Sequence, residues 1–341
     1  MYFHTQNRNY KTYKTYKTAF MLIIALCMLN ATLYAREIAA YNKHHIALSS
    51  DNDAYFEPTN YDRYYTAGHN LSYTSKEWQN SPLAYTALFS RLFKKDLASS
   101  FSIGIGQEVY TPSARFALNP PANDAPYGGY LYLNTMIQNR TDNFLEQLEL
   151  NIGMIGKAAL GKEAQDLIHE LINYYPLAGW DHQIKNEFVL NAYYKAMYRF
   201  DIISNIFDIL PYGVIALGNA NTHLELGAKM RVGYGLHGDF GIQKATSNHI
   251  GSMSLNDDFR FYVTFGIAER FVGRNMFIQG NSFGGFQTQL DMARCVYEAE
   301  IGALIAWKGI SLAYMYSYKQ KEFREQLLDS NYATLRLEIS F

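Results

Sequence analysis

Gln165 and His169 stand four residues apart, so a helix through them sets both on one face. A histidine titrates close to neutrality and can take a proton from water as a general base. Asp51, Asn52 and Asp53 form one oxygen-rich run, Asp62, Arg63 and Thr66 a second, and Arg115 follows Tyr110-Thr111-Pro112. Carboxylates, a carboxamide and a hydroxyl suit a hard cation such as calcium better than zinc, which prefers nitrogen and sulfur. A histidine beside such a cation can hydrolyse an ester without a covalent intermediate. Each run has a plain alternative: Asp-Asn-Asp is also an ordinary loop cap, and His169 a helix-surface histidine. Their chemistry depends on a fold that gathers them.

Two other histidines compete for the base. His182 follows Gly179-Trp180, outside the helix, and shares no face with Gln165. His69 comes three residues after Thr66, which strict alternation assigns to the opposite face of a strand. A rival enzyme is a serine esterase or phospholipase, since Gly280-Asn281-Ser282-Phe283-Gly284 matches G-x-S-x-G. That motif works as a strand-to-helix elbow, and Gly285 to Leu290 show no helical periodicity.

The composition narrows the setting. Among 341 residues there are 30 Lys+Arg, 31 Asp+Glu, 18% charged residues, and 29 Tyr within 16% aromatics. A disordered chain is richer in charge and poorer in aromatics, and a nucleic-acid binder carries a basic excess. Arg8, Lys11, Lys14 and Lys17 precede an apolar run from Ala19 to Leu29, and Thr32-Leu33-Tyr34-Ala35 offers cleavage after Ala35. Residues 1–35 are therefore expected to be a cleaved export signal, too short in its apolar run to span a membrane. Its removal takes four of the 30 basic residues and no acidic ones, leaving 26 against 31, a net of −5. Cys295 is then the only cysteine, so no intrachain disulfide is expected.

Residues 36–341 read as one domain of strands. At the C-terminus, Ala333, Leu335, Leu337, Ile339 and Phe341 alternate with Thr334, Arg336, Glu338 and Ser340. The same period recurs from Leu148 to Met154, from Phe188 to Phe200, and from Ile310 to Tyr318. Polar and small residues oppose apolar ones bracketed by Tyr and Phe, as in the wall of a membrane barrel with its aromatic girdle. Ile301 to Tyr318 mimics a spanning helix, but Lys308-Gly309 splits it by a tight turn. Twelve segments result, near 44–53, 65–75, 99–109, 129–138, 143–155, 187–200, 208–218, 222–235, 258–270, 293–306, 309–318 and 332–341. An even count closes a single-chain barrel and removes the edges that lipid would not tolerate.

With both termini periplasmic, the candidate residues fall at the outer end. Two inner connections, 76–98 and 236–257, are longer than barrel turns usually are. Lys157 to Tyr175 break the alternation; Leu160, Leu167, Ile168, Leu171 and Ile172 recur at helical spacing. A short helix is expected in this extracellular loop near the active site, where it can lie over the barrel mouth. Polar inward faces also suit a non-enzymatic porin.

The order of several stretches resembles the outer-membrane lipid A 3-O-deacylases, the LpxR family. They are Asn52-Asp53, Asp62-Arg63-Tyr64-Tyr65-Thr66-Ala67-Gly68, Tyr110-Thr111-Pro112-Ser113, Pro126 to Leu131, Gly153 to Gly156, Gln165 to His169, Gly179 to Gln183, Leu217-Gly218-Asn219 and Gln279-Gly280-Asn281. The terminal Phe341 likewise resembles the recognition signal of outer-membrane barrels. The resemblance implies a twelve-stranded barrel in the bacterial outer membrane, built by the barrel-assembly machinery and expected to be a monomer. It implies calcium-dependent hydrolysis of the 3′-linked acyloxyacyl ester of lipid A, within lipopolysaccharide, at the outer rim. Asn52 and Asp53 fall on the family's metal-associated pair, Thr66 on its site hydroxyl, Gln165 on its site glutamine and His169 on its catalytic histidine. Ala125 stands where the family usually has Arg before Pro-Tyr, and Arg115 is the nearest basic residue after the Tyr-x-Pro stretch, hence the candidate for substrate phosphate.

Overall fold

The protein is described by a computed structural model that covers residues 38–56, 62–93, 96–171 and 173–341. The expected export signal, 1–35, lies outside the described residues.

Twelve long strands form the wall: β1 (His45–Asn52), β2 (Tyr64–Thr74), β3 (Ala98–Thr111), β4 (Gly128–Arg140), β5 (Phe144–Ile155), β6 (Glu187–Tyr198), β7 (Phe207–Gly218), β8 (Asn221–Tyr234), β9 (Arg260–Asn275), β10 (Cys295–Trp307), β11 (Ile310–Lys319) and β12 (Ser330–Ser340). Each pairs antiparallel with its neighbour, and β12 returns to β1 through His45–Ser340 to Asn52–Ala333, closing the barrel. Two short strands, Trp78–Gln79 and Phe200–Ile203, extend the sheet at the inner end.

The alternation read from the sequence is the alternation of the wall. Ile46, Leu48, Leu133, Leu190, Ile305 and Leu312 point outward and are exposed, whereas Asp51, Asn151, Lys195, Lys229 and Arg336 point inward and are buried. Outward apolar side chains against inward charge is the inverse of a soluble barrel and fits hydrocarbon outside the wall. Lys308 adopts a left-handed φ of 51° and Gly309 one of 82°, making the tight turn expected between β10 and β11.

The two long inner connections have a physical use that periodicity does not reveal. Residues 235–259, between β8 and β9, fold up into the lumen. Phe240, Ile242, Ala245 and Ile250 on this plug are buried. The wall holds it from many sides: Gln147 donates to Gly251 O at 2.7 Å, Lys195 to His249 O at 3.1 Å, Lys229 to Ile250 O at 3.0 Å, and Arg336 to Gln243 Oε1 at 3.0 Å. At the tip, Ala245 N–H donates to Asp51 Oδ1 at 3.3 Å. At the base, Arg231 joins Asp208 and Asp239, each at 2.5 Å and all buried. Buried polar groups are tolerated only when they are partnered, and here the lumen supplies the partners.

The other inner connection lies against the outside of the wall at the inner rim. The Glu146 carboxylate accepts from Leu88, Phe89 and Ser90 N–H at 3.1, 2.7 and 2.8 Å, and Arg140 forks onto Glu77.

Candidate active site

The loop helix runs Gly161–Leu171. It does not lie over the barrel mouth, as the sequence suggested. It rests on the outward face of the wall at the outer rim. Outward-facing Gln107 of β3 donates to Ala159 O at 2.8 Å and Leu160 O at 3.2 Å. Gly129 of β4 meets Gly161 so closely that a Cβ on Gly161 would sit 2.9 Å from Gly129 Cα. Two glycines thus allow backbone-to-backbone docking.

This placement inverts the helix. Gly161, Gln165 and His169 face the wall and are buried, while Leu160 just before it, Leu167, Ile168 and Leu171 are 42–71% exposed. The periodic apolar residues that marked the helix are its outward side, where an outer leaflet would lie. Ile172 is outside the described residues.

Between helix and wall runs a chain of hydrogen bonds. Trp180 Nε1–H donates to Gln165 Oε1 at 2.9 Å, and Gln165 Nε2–H donates to Asp62 Oδ1 at 3.1 Å. Indole nitrogen can only donate, so the amide of Gln165 is oriented without ambiguity. Asp62 Oδ2 stands 3.3 Å from His169 Nε2. His169 Nδ1 is 2.8 Å from Tyr175 O, which can only accept; the proton is therefore on Nδ1 and Nε2 is the nitrogen turned to Asp62. Burial pulls the His169 imidazole down, but the hydrogen bond and charge of Asp62 and the Tyr175 carbonyl outweigh it, and the net shift is upward.

Asp62 itself rests on an unusual turn. Asp62 and Tyr64 both adopt left-handed φ, 62° and 61°. For a tyrosine this is a strained backbone held by its surroundings. Thr111 Oγ1 donates to Asp62 O at 2.6 Å and lies 2.7 Å from Thr66 Oγ1. One proton per hydroxyl makes Thr66 the donor to Thr111. Pairing passes from Tyr65–Tyr110 to Ala67–Val109, so Thr66 sits in a bulge. The bulge resets the alternation, and Thr66 reaches the outward-facing Thr111. The assignment of His69 to the opposite face is therefore corrected: His69 lies outward as well, beside Ser50, with Nδ1 3.0 Å from its Oγ.

Asp53 opens a 3-10 turn capped by Asn52, whose Oδ1 accepts from Ala54 N–H at 2.7 Å. Asp53 Oδ2 accepts from Arg63 N–H at 3.1 Å. Asp53 Oδ1 is buried without a hydrogen-bond partner among the described residues, and Asp62 Oδ2 has only His169 Nε2, 3.3 Å away. Burial, and then the charge of Asp62, push the Asp53 carboxyl well above its ordinary range. Two neighbouring carboxylates, one with an orphaned oxygen and one whose free oxygen faces only an imidazole, fit a hard cation. Among the described residues no three His, Cys, Asp or Glu side chains converge on one metal position. Further ligands would have to be carbonyl or water oxygens.

Asp51 separates from this group. It points into the lumen, where Thr334 donates to it at 2.8 Å and Tyr65 at 2.9 Å. Arg115 is buried with its guanidinium 4.9 Å from the Phe116 ring centre, and its Nε has no partner among the described residues. His182 is exposed. Ser282 Oγ donates to Asn219 O at 3.0 Å, and no helix follows it, so the nucleophile elbow is absent. Asp62 and Trp180 are the residues that the sequence displayed without ranking; both lay inside stretches that carried the resemblance.

Fold and site together define an outer-membrane β-barrel with a polar, hydrogen-bonded site on the outside of its outer rim. The chain belongs to the LpxR family: residues 21–341 match the family model for outer membrane protein LpxR. The family is one of lipid A deacylases, and membership implies lipid A 3-O-deacylation. LpxR from Salmonella typhimurium is similar in fold, with a TM-score of 0.71, 22% identity, and 87% of this chain and 100% of that one covered. The translocator domain of autotransporter NalP from Neisseria meningitidis aligns at a TM-score of 0.39 and 10% identity, over 96% of this chain and 97% of its own. No curated protein matches the chain.

Proposed function

We propose that this cleft hydrolyses the 3′-linked acyloxyacyl ester of lipid A with His169 as general base. The observation that carries the reading is the tautomer: Tyr175 O holds the proton on Nδ1, which leaves Nε2 to take one beside Asp62. His169 Nε2 removes a proton from water, and the water oxygen attacks the ester carbonyl. When the tetrahedral intermediate collapses, the imidazolium returns that proton to the departing sugar oxygen. The products are a free fatty acid and a 3′-hydroxyl. Gln165 holds Asp62, and Trp180 holds Gln165. Thr66 steadies the Asp62 turn through Thr111.

Asp53 and Asp62 would hold a divalent cation, calcium by the all-oxygen character of the pair, with Asn52 fixing the turn that presents Asp53. When bound, such a cation polarises the carbonyl and stabilises the developing oxyanion. Arg115 supplies a buried cation for a substrate phosphate.

Mass spectrometry of lipid A from cells expressing the protein tests the reading. Loss of the 3′ acyl group is expected with the wild type and not with His169→Ala. Unchanged lipid A with a folded wild-type barrel would overturn it.

A further inference from the structure

The outward rim carries a second polar feature, of which the mechanism above uses only Asp53. Across β1 from the loop helix, a cavity of about 250 Å³ is lined by Asp53, Arg63, Tyr318, Leu328, Asp329, Ser330 and Asn331. Tyr318 and Asn331 belong to the outward faces of β11 and β12, so this cavity opens on the same side of the wall as His169. Asp53 borders both. The two features therefore form one continuous strip along the rim, from the loop helix over β3 and β4 to the β11–β12 loop.

Three atoms around the cavity are buried without hydrogen-bond partners among the described residues: Arg63 Nε, Asn331 Oδ1 and Asp53 Oδ1, the last being the oxygen that would also face the cation. They include an acceptor from a carboxylate, an acceptor from an amide and a donor from a guanidinium. Native interiors rarely leave such groups unpaired unless something else pairs them. The remaining polar groups are mutually committed: Tyr318 OH donates to Asp329 Oδ2 at 2.9 Å, Lys321 N–H to Asp329 Oδ1 at 3.1 Å, and Gln326 Nε2 to Ser330 Oγ at 3.3 Å. They build a rigid polar wall behind the open atoms.

The chemistry of the cavity selects its occupant. The lining is mainly polar, with Leu328 and the Tyr318 ring as its apolar parts, so it offers an acyl chain little apolar surface to bury. A phosphate would meet two carboxylates, Asp53 and Asp329, against one guanidinium, Arg63. A ring bearing hydroxyls can donate to the carboxylate and amide oxygens and accept from Arg63 at once. At about 30 Å³ per water molecule, the volume is that of roughly eight waters, the size of one sugar ring.

We propose that this cavity is a carbohydrate subsite, which takes the hydroxyl-bearing face of one hexosamine ring of the substrate through Arg63 and Asn331. The proposal rests on the reading that the cleft cleaves a sugar-linked ester. It makes Asn331 and Arg63 residues that select the headgroup while His169 acts on the bond.

Titration of detergent-solubilised protein, with calcium present, against the fully deacylated and dephosphorylated glucosamine disaccharide tests it. Wild type and His169→Ala should bind saturably. Asn331→Leu, which removes the amide at similar volume, and Arg63→Met should bind at least tenfold more weakly. All four should first show heat-modifiable mobility. With lipid A as substrate, Asn331→Leu should raise KM and leave kcat within about twofold. Absence of saturable binding by wild type, or equal binding by Asn331→Leu, would overturn the proposal. Sugar binding without any deacylation would instead sink the hydrolase reading and leave the subsite standing.

Discussion

At His169 the orienting partner of Nδ1 is a backbone carbonyl and the acidic partner faces Nε2. The usual arrangement for a histidine base places a carboxylate behind it; here Asp62 stands in front, at the nitrogen proposed to take the proton. His169→Ala should lower the deacylation rate by about 10²–10⁴-fold, the usual worth of a general base, with the barrel still heat-modifiable. His182→Ala should stay within about twofold, because that side chain is exposed and lies outside the hydrogen-bonded chain. A dead His182 variant beside an active His169 variant would assign the base wrongly. Asp53 makes a second prediction. A ligand that binds only the folded state stabilises it, by about 2.7 kcal/mol at a hundredfold excess over Kd. Calcium should raise the unfolding temperature, chelation should reverse the rise, and Asp53→Asn should abolish it. A shift that survives in Asp53→Asn would place the cation elsewhere. That His169, Gln165, Asp53, Asp62 and Thr66 gather at the outer rim was legible from their types, their spacing and the order of the stretches that carry the resemblance. The position of Asp62 in front of His169 was not legible, since it depends on a left-handed turn that no spacing rule announces.

The elements were legible to the extent that they are periodic. Strand limits agree with the expected segments within a few residues, as at 187–200 against Glu187–Tyr198. The bulge at Thr66 was hidden because one extra residue reverses every later face assignment on β2, which is what misplaced His69. The helix was found by its apolar stripe, yet its position was misjudged. An apolar stripe is normally the buried side, and in contact with lipid the rule reverses. The docking of that helix rests on Gly161 against Gly129 and Trp180. Gly161→Leu should lift the helix from the wall and reduce deacylation at least tenfold. The twelve strands make no use of that contact, so heat-modifiable mobility should persist. Full activity in this variant would mean that the helix positions nothing.

For the whole molecule, the lumen plug answers the porin alternative. Residues 235–259 occupy the interior and bond to β1, β4, β5, β6, β8, β10 and β12. In planar bilayers the protein should show no stable open-channel conductance. Replacing residues 240–254 by a short Gly-Ser linker should produce one, provided the barrel closes without the plug, which heat-modifiable mobility reports. A steady channel in the intact protein would contradict the packing of the plug. The sequence hinted at this only through an inner connection too long for a turn. A segment that packs against a polar wall has no reason to alternate, so its path was unreadable.

The cleft lies on the flank of the barrel and not in its bore. Its substrate is thus a neighbour in the same sheet of lipid, arriving by lateral diffusion and leaving the same way. The encounter is two-dimensional, and the quantity that governs it is the number of substrate molecules per unit of surface. In mixed micelles at fixed total lipid A, adding inert detergent should slow the reaction by surface dilution. Adding buffer, which lowers the bulk concentration of both while leaving the surface composition unchanged, should hardly affect the rate per enzyme. The opposite pattern would mean that the substrate enters through water.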